Sequence, residues 1–119
     1  MIVLDLPLAP TTNQLWCMNV GRGGKDRRPS PLYTDFQWEA ALELRAMQPK
    51  PRIEGKYKLR FQWPERDRAD VDNRIKAATD FLVKQNVTDD DRNCVHVSAE
   101  RSPDVPPGRM KVVVEPWVR

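Results

Sequence analysis

The sequence predicts an α/β domain of the α+β kind, in which a mixed four-stranded sheet carries two helices packed on one face. Three observations predict it: one segment in which apolar and charged residues alternate, two segments with helical spacing, and a turn-rich stretch between the last two apolar runs. In chain order the elements are β-α-β-α-β-β. The 119 residues suit a single domain over 1–119.

The first element is a short strand over residues 1–6, which Pro7 and Pro10 close. Residues 7–32 follow as a long irregular, basic loop, and loops of this length in compact domains are either functional or disordered. Trp16 lies in this loop. It either stacks on nucleic-acid bases or anchors the loop in the core, and both interpretations stay open from the sequence.

A first helix is predicted to begin at Thr34, because Thr34 and Gln37 have the spacing of a capping box. Tyr33 and Trp38 stand at the positions of a hydrophobic staple around that start, and Pro49 ends the helix. The side predicted to be buried comprises Trp38, Ala41, Leu42 and Arg45, with Ala40, Leu44 and Met47 beside it.

The clearest strand covers residues 56–63, because apolar residues alternate there with basic and polar ones. A second helix is predicted over 71–84. Two strands near 95–99 and 111–114 follow, joined by a hairpin over 103–108. The apolar face of the 56–63 strand is formed by Tyr57, Leu59, Phe61 and Trp63, and the inward side of the second helix by Ile75, Ala78, Thr79 and Leu82.

The chain is mildly basic, with 20 Lys and Arg against 17 Asp and Glu and a net charge of +3. Cations are concentrated in two places: four lie between positions 22 and 28, and seven lie between positions 56 and 76. Such clusters can collect a phosphate backbone by counterion release, although charged residues also keep a small domain in solution.

The cysteines and the hydropathy pattern exclude several classes of protein. Cys17 and Cys94 lie far apart, and the single histidine, His96, has only Cys94 near it, so a zinc site is not expected. The sequence shows neither the pattern of a secretory signal peptide nor an apolar run long enough to span a membrane. We therefore expect a cytoplasmic protein with free thiols and no membrane partner.

Acidic residues at two places in the chain form the strongest chemical signal. Asp70 and Asp72 lie where the basic strand gives way to the second helix, and Asp91 ends an acidic run before the next strand. If the strand that follows Asp91 pairs beside the basic strand, the acidic run is brought close to Asp70 and Asp72. Three carboxylates there are a typical oxygen-ligand set for Mg²⁺ or Mn²⁺. Lys76, on the same helical face as Asp72, can neutralise charge that develops on a phosphate.

A simpler interpretation of the same residues stays open. Asp72, Lys76 and Asp80 have the spacing of a surface ladder of helical ion pairs, and residues 89–91 are compatible with an acidic turn. An EF-hand is excluded, because no glycine follows Asp72 at the sharp-turn position and no glutamate closes a loop of the required length.

The segment DVDNRIKAATDFL, followed by DDDRNCV, resembles the signature of the RusA-type Holliday junction resolvases. In that family a helix with the pattern D-[LV]-D-N-x-x-K-A-x-x-D-x-L precedes an acidic pair and a strand. LPLAPTTNQLW near the start is similar to the family's opening strand, proline-rich turn and asparagine. The matching residues are Asp70, Asp72, Asn73, Lys76, Ala77, Asp80, Leu82, Asp90 and Asp91, with Asn13 near the start.

The resemblance implies a homodimer that cuts four-way DNA junctions by paired symmetric incisions and requires Mg²⁺, with Mn²⁺ as a substitute. It implies that Asp70, Asp72 and Asp91 bind the metal and that Lys76 is essential for cleavage. The arginine run that often precedes the first aspartate in the family is interrupted here. Candidate supporting residues are Asn13, Asn73 and Asp90, the last being the fallback for the third ligand.

We expect cations to hold the phosphate backbones of the DNA by position rather than by reading bases. The predicted function is a metal-dependent endodeoxyribonuclease that resolves Holliday junctions in DNA recombination and repair. Two alternatives stay open: a non-catalytic nucleic-acid-binding module, and a nuclease for other branched DNA. The candidate DNA-binding residues are Arg22, Lys25, Arg27, Arg28, Arg66, Arg68 and Arg74.

Overall fold

The structure, a computed structural model, describes residues 1–18 and 27–118 and confirms the predicted α+β fold. Within these ranges, neither helix has both the length and the apolar composition needed to cross a membrane. Short 3-10 turns at Thr12–Gln14 and Asp91–Asn93 precede the second and fifth strands. The elements are β1 (Ile2–Pro7), β2 (Trp16–Met18), β3 (Arg27–Pro29), α1 (Pro31–Arg45), β4 (Tyr57–Pro64), α2 (Ile75–Lys84), β5 (Cys94–Ser102) and β6 (Arg109–Pro116).

The main sheet has four strands in the order β1-β6-β4-β5. β4 pairs parallel with β5 and antiparallel with β6, which pairs antiparallel with β1, so the sheet is mixed as predicted. The parallel pair requires a crossover connection, and α2 supplies it. As a result, the loop that carries Asp70 and Asp72 leaves the end of β4, and Asp91 lies directly ahead of β5.

One face of the sheet packs against both helices and forms the core. Phe36 of α1 contacts Phe81 of α2, with ring centroids 5.4 Å apart, so the two helices close over the same core. The alternation predicted for the 56–63 strand is confirmed, because its apolar residues are at most 1% exposed. The core-facing residues of the strands are Leu4 and Leu6 in β1, Tyr57, Leu59, Phe61 and Trp63 in β4, and Met110, Val112 and Val114 in β6.

Helix α1 begins at Pro31, so the predicted start at Thr34 is wrong. Ser30 is the N-cap, and its hydroxyl accepts a hydrogen bond from the Tyr33 N–H at 3.1 Å. Proline at the first helical position favours this start, because its φ is already helical and it has no N–H left to satisfy.

The buried side of α1 also differs from the prediction. Trp38 is 66% exposed and Leu42 is 50% exposed, although both were predicted to be buried. The helix contacts the core through a narrower stripe than its apolar composition suggests, which leaves these two large residues in solvent. The buried residues are Tyr33, Phe36, Ala40, Ala41 and Leu44.

Two other predictions need correction. Helix α2 begins at Ile75 rather than at 71, because residues 71–74 form a turn. The 7–32 region is not irregular throughout, since β2 and β3 pair antiparallel with Trp16 opposite Pro29. Trp16 is exposed in part and contacts the Tyr33 ring edge-on, with centroids 6.0 Å apart. The buried residues of α2 are Ala77, Ala78, Phe81 and Leu82, with Ile75 and Thr79 half-buried.

Candidate active site

The loop over residues 65–74, between β4 and α2, is held in place by Arg74. Its guanidinium donates to both carboxylate oxygens of Asp67, with distances of 2.9 Å from Nε and 2.8 Å from Nη2. A third hydrogen bond runs from Nη1 to the Ala9 carbonyl at 2.6 Å. The two ends of the loop are thereby joined to each other and to the segment that follows β1.

A second arginine fixes the same loop from β5. Arg101 donates to the backbone carbonyls of Asp67 and Ala69, at 3.1 Å and 2.9 Å. The hydrogen bonds of Arg74 and Arg101 to this loop could not be predicted from the sequence, because the bonded residues are not spaced at a helical or strand period. They restrain the backbone that directly precedes Asp70.

The turn that carries Asp70 is attached to the core by Trp63. The indole Nε1–H of this buried residue donates to the Val71 carbonyl at 2.7 Å. Within the turn, the Asn73 N–H donates to the Asp70 carbonyl at 2.9 Å. The backbone between the first two predicted metal ligands is therefore bonded to the end of β4.

The N-terminal segment also touches this turn. The backbone N–H and the hydroxyl of Thr12 both donate to the Asn73 carbonyl, at 2.9 Å and 3.2 Å. Asn13, exposed and next in the chain, lies beside the same contact. The two asparagines predicted as supporting residues are thus brought into one region, although the contact uses the backbone of Asn73 and not its amide.

Asp72 and Asp91 line one open cleft of about 440 Å³ between α2 and β5. Lys76 also lines it, and Ile75 and Val97 contribute an apolar part of its wall. Among the described residues, no three His, Cys, Asp or Glu side chains are grouped closely enough to hold one metal ion together. Asp72 and Asp91 thus share the cleft, but among the described residues no third side chain of these types completes a metal-binding group with them.

The chemistry of the predicted ligands suits a hard cation. Asp70, Asp72 and Asp91 are exposed, and none of them forms an ion pair with a cation in the described ranges. Carboxylates without a cationic partner are free to bind a divalent ion that takes oxygen ligands. Because Asp70 does not line the cleft, the three side chains would have to turn toward one another to share an ion.

Asp90, the predicted fallback ligand, is engaged elsewhere. It caps the short turn before β5 by accepting from the Arg92 N–H at 3.0 Å, and it pairs with the Arg92 guanidinium at 3.1 Å. The Arg92 N–H, the Asp91 carboxyl and the Arg92 guanidinium together hold the pKa of Asp90 at about 2. Asp91 is the better placed of the two acids, because it lines the cleft and Asp90 does not.

Lys76 forms part of the ion-pair ladder that the spacing suggested. Its Nζ lies 3.4 Å from Asp80 Oδ1, and its side chain is 63% exposed. The pair between Asp72 and Lys76 does not form within the described residues. A surface pair of this kind stabilises a helix by only a few tenths of a kcal/mol, so Lys76 can exchange its partner at little cost.

The thiol of Cys94 also lines the cleft. Burial, with the nearby Asp91 carboxylate as a further contribution, raises the pKa of its thiol above the ordinary value. The thiol is therefore protonated at neutral pH, and its Sγ donates to the His96 carbonyl at 3.4 Å. A protonated thiol is a poor nucleophile.

The predicted DNA-binding cations are placed in different surroundings. Arg22 and Lys25 lie outside the described residues, and only the backbone of Arg27 is described. The exposed ones are Arg28, Arg66 and Arg68.

Arg74 does not fit its predicted role of contacting phosphate. Its side chain is only 13% exposed, and its guanidinium is used by the Asp67 carboxylate and the Ala9 carbonyl. Breaking these charged hydrogen bonds to reach DNA would leave Asp67 buried without a partner, which is costly. The structure thus gives Arg74 a positioning role in the loop before Asp70.

The basic face of β4 is partly neutralised by the neighbouring strand. Lys58 lies 3.0 Å and Arg60 lies 3.7 Å from carboxylate oxygens of Glu115 in β6. These pairs lower the positive potential on which the alternative of a non-catalytic binding module depends.

Replacing Asp67 by Asn is expected to destabilise the protein by about 1–3 kcal/mol at neutral pH, because Arg74 loses its charged partner while remaining largely buried. Hydrogen bonds from Arg74 lower the pKa of Asp67 below its ordinary value of 3.8. Such a group contributes stability above pH 3.8, and the contribution is lost as the pH falls through the folded-state pKa. Thermal melts of the two proteins should therefore converge in acid.

The control for this measurement is Asp35→Asn, which makes the same charge change at an exposed position of α1. It should leave the melting temperature nearly unchanged across the pH range. A gap between the parent and Asp67→Asn that stays constant into acid would show that the ion pair is not its cause.

Comparison with known families adds an independent observation to this geometry. The family model described as endodeoxyribonuclease RusA matches residues 26–115, a range that contains all three predicted metal ligands and Lys76. No curated protein matches the chain closely enough to serve as a further comparison. Because the match spans most of the sequence, the chain belongs to the RusA endodeoxyribonuclease family.

Proposed function

We propose that this chain is a divalent-metal-dependent endodeoxyribonuclease that resolves four-way DNA junctions by paired incisions during recombination and repair. The observation that carries the proposal is the family match over residues 26–115. The cleft lined by Asp72, Asp91 and Lys76 supports it, because it combines two acidic side chains with an exposed cation on an open surface. A surface cleft suits a substrate as large as branched DNA.

Asp70, Asp72 and Asp91 are the residues that would hold Mg²⁺ or Mn²⁺, since carboxylate oxygens are ligands that both ions prefer. When bound, such an ion would polarise the phosphodiester and lower the pKa of a water molecule, so that the water loses a proton more easily and supplies a hydroxide nucleophile. The anchors provided by Arg74 and Arg101 restrain the backbone before Asp70, so that part of the ligand set is oriented before DNA arrives.

Lys76 is suited to contact the phosphate that is cut. It would leave its weak surface pair with Asp80 and place its ammonium group against the phosphate oxygens, where negative charge increases in the transition state. Arg66 and Arg68, exposed on the loop before Asp70, would hold the neighbouring backbone phosphates.

The proposal includes a homodimer with two-fold symmetry. A four-way junction can itself adopt two-fold symmetry, and a symmetric dimer would present two equal clefts to two equivalent strands. Paired incisions then require no second type of active site within one small chain.

Cleavage of matched DNA substrates across a metal titration tests the proposal. A four-way junction, a fork and a linear duplex of the same sequence are each incubated without metal, with Mg²⁺ and with Mn²⁺. We expect two symmetric cuts in the junction, dependent on the divalent ion. They should form at least about tenfold faster than cuts in the duplex, which corresponds to about 1.4 kcal/mol in the barrier.

The same experiment separates the alternatives. Junction binding without cleavage at any metal concentration would favour the non-catalytic binding module. Faster cutting of the fork than of the junction would favour a nuclease for other branched DNA. Equal cutting of all three substrates would contradict junction specificity.

A further inference from the structure

A cavity of about 530 Å³ opens beside the loop that leads to Asp70. It lies between residues 64–68 and the hairpin that joins β5 to β6. Its walls are largely apolar, and the family match and the predicted metal site assign it no role. The apolar residues that line it are Leu8, Pro64, Pro103, Val105 and Pro107.

The walls of this cavity are preformed. On one side, Arg101 and Arg74 hold the loop through Asp67, and the Asp67 N–H donates to the Pro64 carbonyl at 3.0 Å. On the other side, the Leu8 N–H donates to the Gly108 carbonyl at 2.9 Å. Proline rings add further rigidity, since their φ is fixed. The free-energy cost of ordering this site when a ligand binds should therefore be small.

The rim of the cavity carries positive charge that is available to a ligand. Arg66 and Arg68 line it, both are exposed, and neither forms an ion pair with any residue in the described ranges. They differ in this from Arg74 and Arg101 of the same region, whose guanidinium groups are occupied by the loop itself. Apolar lining residues together with two guanidinium groups that form no ion pair in the described ranges match a nucleotide, which has an apolar base face and an anionic phosphate.

We propose that this cavity receives one unstacked nucleobase of the branched DNA while Arg66 and Arg68 hold the phosphates on either side of it. The inference rests on the proposed function and adds a second subsite to it. Bases at a branch point are stacked and paired less well than bases within a duplex, so extruding one of them costs less there. The cavity would thus help the protein to distinguish a junction from linear DNA.

The cavity lies close to Asp70, the first predicted metal ligand. Arg68 and Asp70 are two residues apart, so their Cα atoms lie within about 7.6 Å of each other. A nucleotide held in the cavity would therefore fix the register of the strand relative to the carboxylates. The base would determine which neighbouring phosphate reaches them.

One residue of the rim favours certain bases. The Glu65 carboxylate also lines the cavity and can only accept hydrogen bonds. It suits a base with an exocyclic amino group, which adenine, cytosine and guanine carry and thymine lacks. We therefore expect thymine to be the base least favoured in the cavity.

Filling the cavity tests the inference. Pro107→Trp places a large side chain at its exposed edge, and Pro107→Ala removes the same proline without filling the space. Each protein is bound to four-way junctions that carry the fluorescent adenine analogue aminopurine at successive positions around the branch. Chelator replaces metal, so that the DNA stays uncut. Cleavage by the same proteins is then measured with Mg²⁺.

We expect the parent and Pro107→Ala to raise aminopurine fluorescence at one position, because the analogue leaves its stack there. Pro107→Trp should abolish that increase and cut the junction about tenfold more slowly than Pro107→Ala. An unchanged fluorescence at every position with the parent would overturn the inference. So would an equal increase with Pro107→Trp and Pro107→Ala.

The two proposals fail in different ways in this design. A parent that cuts junctions with Mg²⁺ but unstacks no base contradicts the nucleobase subsite and leaves the nuclease function intact. A parent that unstacks a base in chelator but never cuts supports the subsite and contradicts the nuclease function.

Discussion

Replacing Asp70 by Asn is expected to slow cleavage of four-way junctions by at least about 100-fold, while junction binding survives or tightens. The amide is a weaker metal ligand than the carboxylate and removes one negative charge from the surface that faces the DNA phosphates. The turn itself should stay folded, because Asp70 bonds within it through its backbone carbonyl. Single-turnover cleavage and gel-shift titration of the same junction measure the two effects.

Asp35→Asn again serves as the matched control, since it makes the same charge change on α1. It should cut at the parent's rate. If Asp70→Asn cuts at that rate too, the assignment of Asp70 as a metal ligand is wrong. If Asp70→Asn loses junction binding as well as cleavage, the carboxylate acts on DNA binding rather than on the chemical step.

Trp63→Ala should produce the largest loss of stability among single substitutions in the sheet. Trp63 is fully buried and stacks on Phe61, with ring centroids 5.2 Å apart, so its removal leaves a large cavity. Aromatic-to-alanine changes in protein cores cost about 3–5 kcal/mol. For a chain of this length the melting temperature should fall by about 10 °C or more. Calorimetry or circular dichroism measures the change.

Trp63→Phe separates packing from the hydrogen bond to the Val71 carbonyl. Trp63→Phe keeps most of the buried area but removes the N–H donor. The lost hydrogen bond should lower the free energy of unfolding by about 1 kcal/mol, and the smaller ring should lower it further. Cleavage should fall more than stability predicts, because the turn carrying Asp70 is no longer bonded to β4. Trp38→Ala, at an exposed position of α1, is the control and should change stability by less than about 0.5 kcal/mol. A larger loss for Trp38→Ala than for Trp63→Ala would contradict this account of the core.

Strand β4 illustrates what the sequence can predict well. Its apolar residues alternate strictly and Pro64 follows them, so a single period fixes both the strand and the face that is buried. The parallel partner β5 was harder to place, because Val95 and Val97 remain exposed at the edge of the sheet. Its position follows from the crossover through α2.

The start of α1 shows where local signals compete. Ser30 and Thr34 are both good capping residues, and Thr34 also has Gln37 at capping-box spacing. The proline at position 31 decides the outcome, because it suits the first helical position and Ser30 immediately precedes it.

The candidate site was predictable in its residue types but not in its geometry. Acidic residues at two places in the chain were visible as potential oxygen ligands, and the crossover brings Asp72 and Asp91 to the same cleft. The distance between the Asp72 and Asp91 carboxylates depends on how α2 packs beside β5, and sequence spacing does not determine that packing. The pairing of Asp67 with Arg74 was invisible for a similar reason, since both partners lie in a loop without a period.

The support that the first thirteen residues give to the rest of the chain limits how far the protein can be shortened. The family match begins at residue 26, yet Leu4 and Leu6 complete the core, and the Ala9 carbonyl and Thr12 hold the loop around Asp70. A fragment trimmed to the matched range would leave β6 without its neighbour on one side, and an uncovered strand of this kind invites self-association. The range matched by the family model is therefore smaller than the part of the chain that completes the core and holds the loop around Asp70.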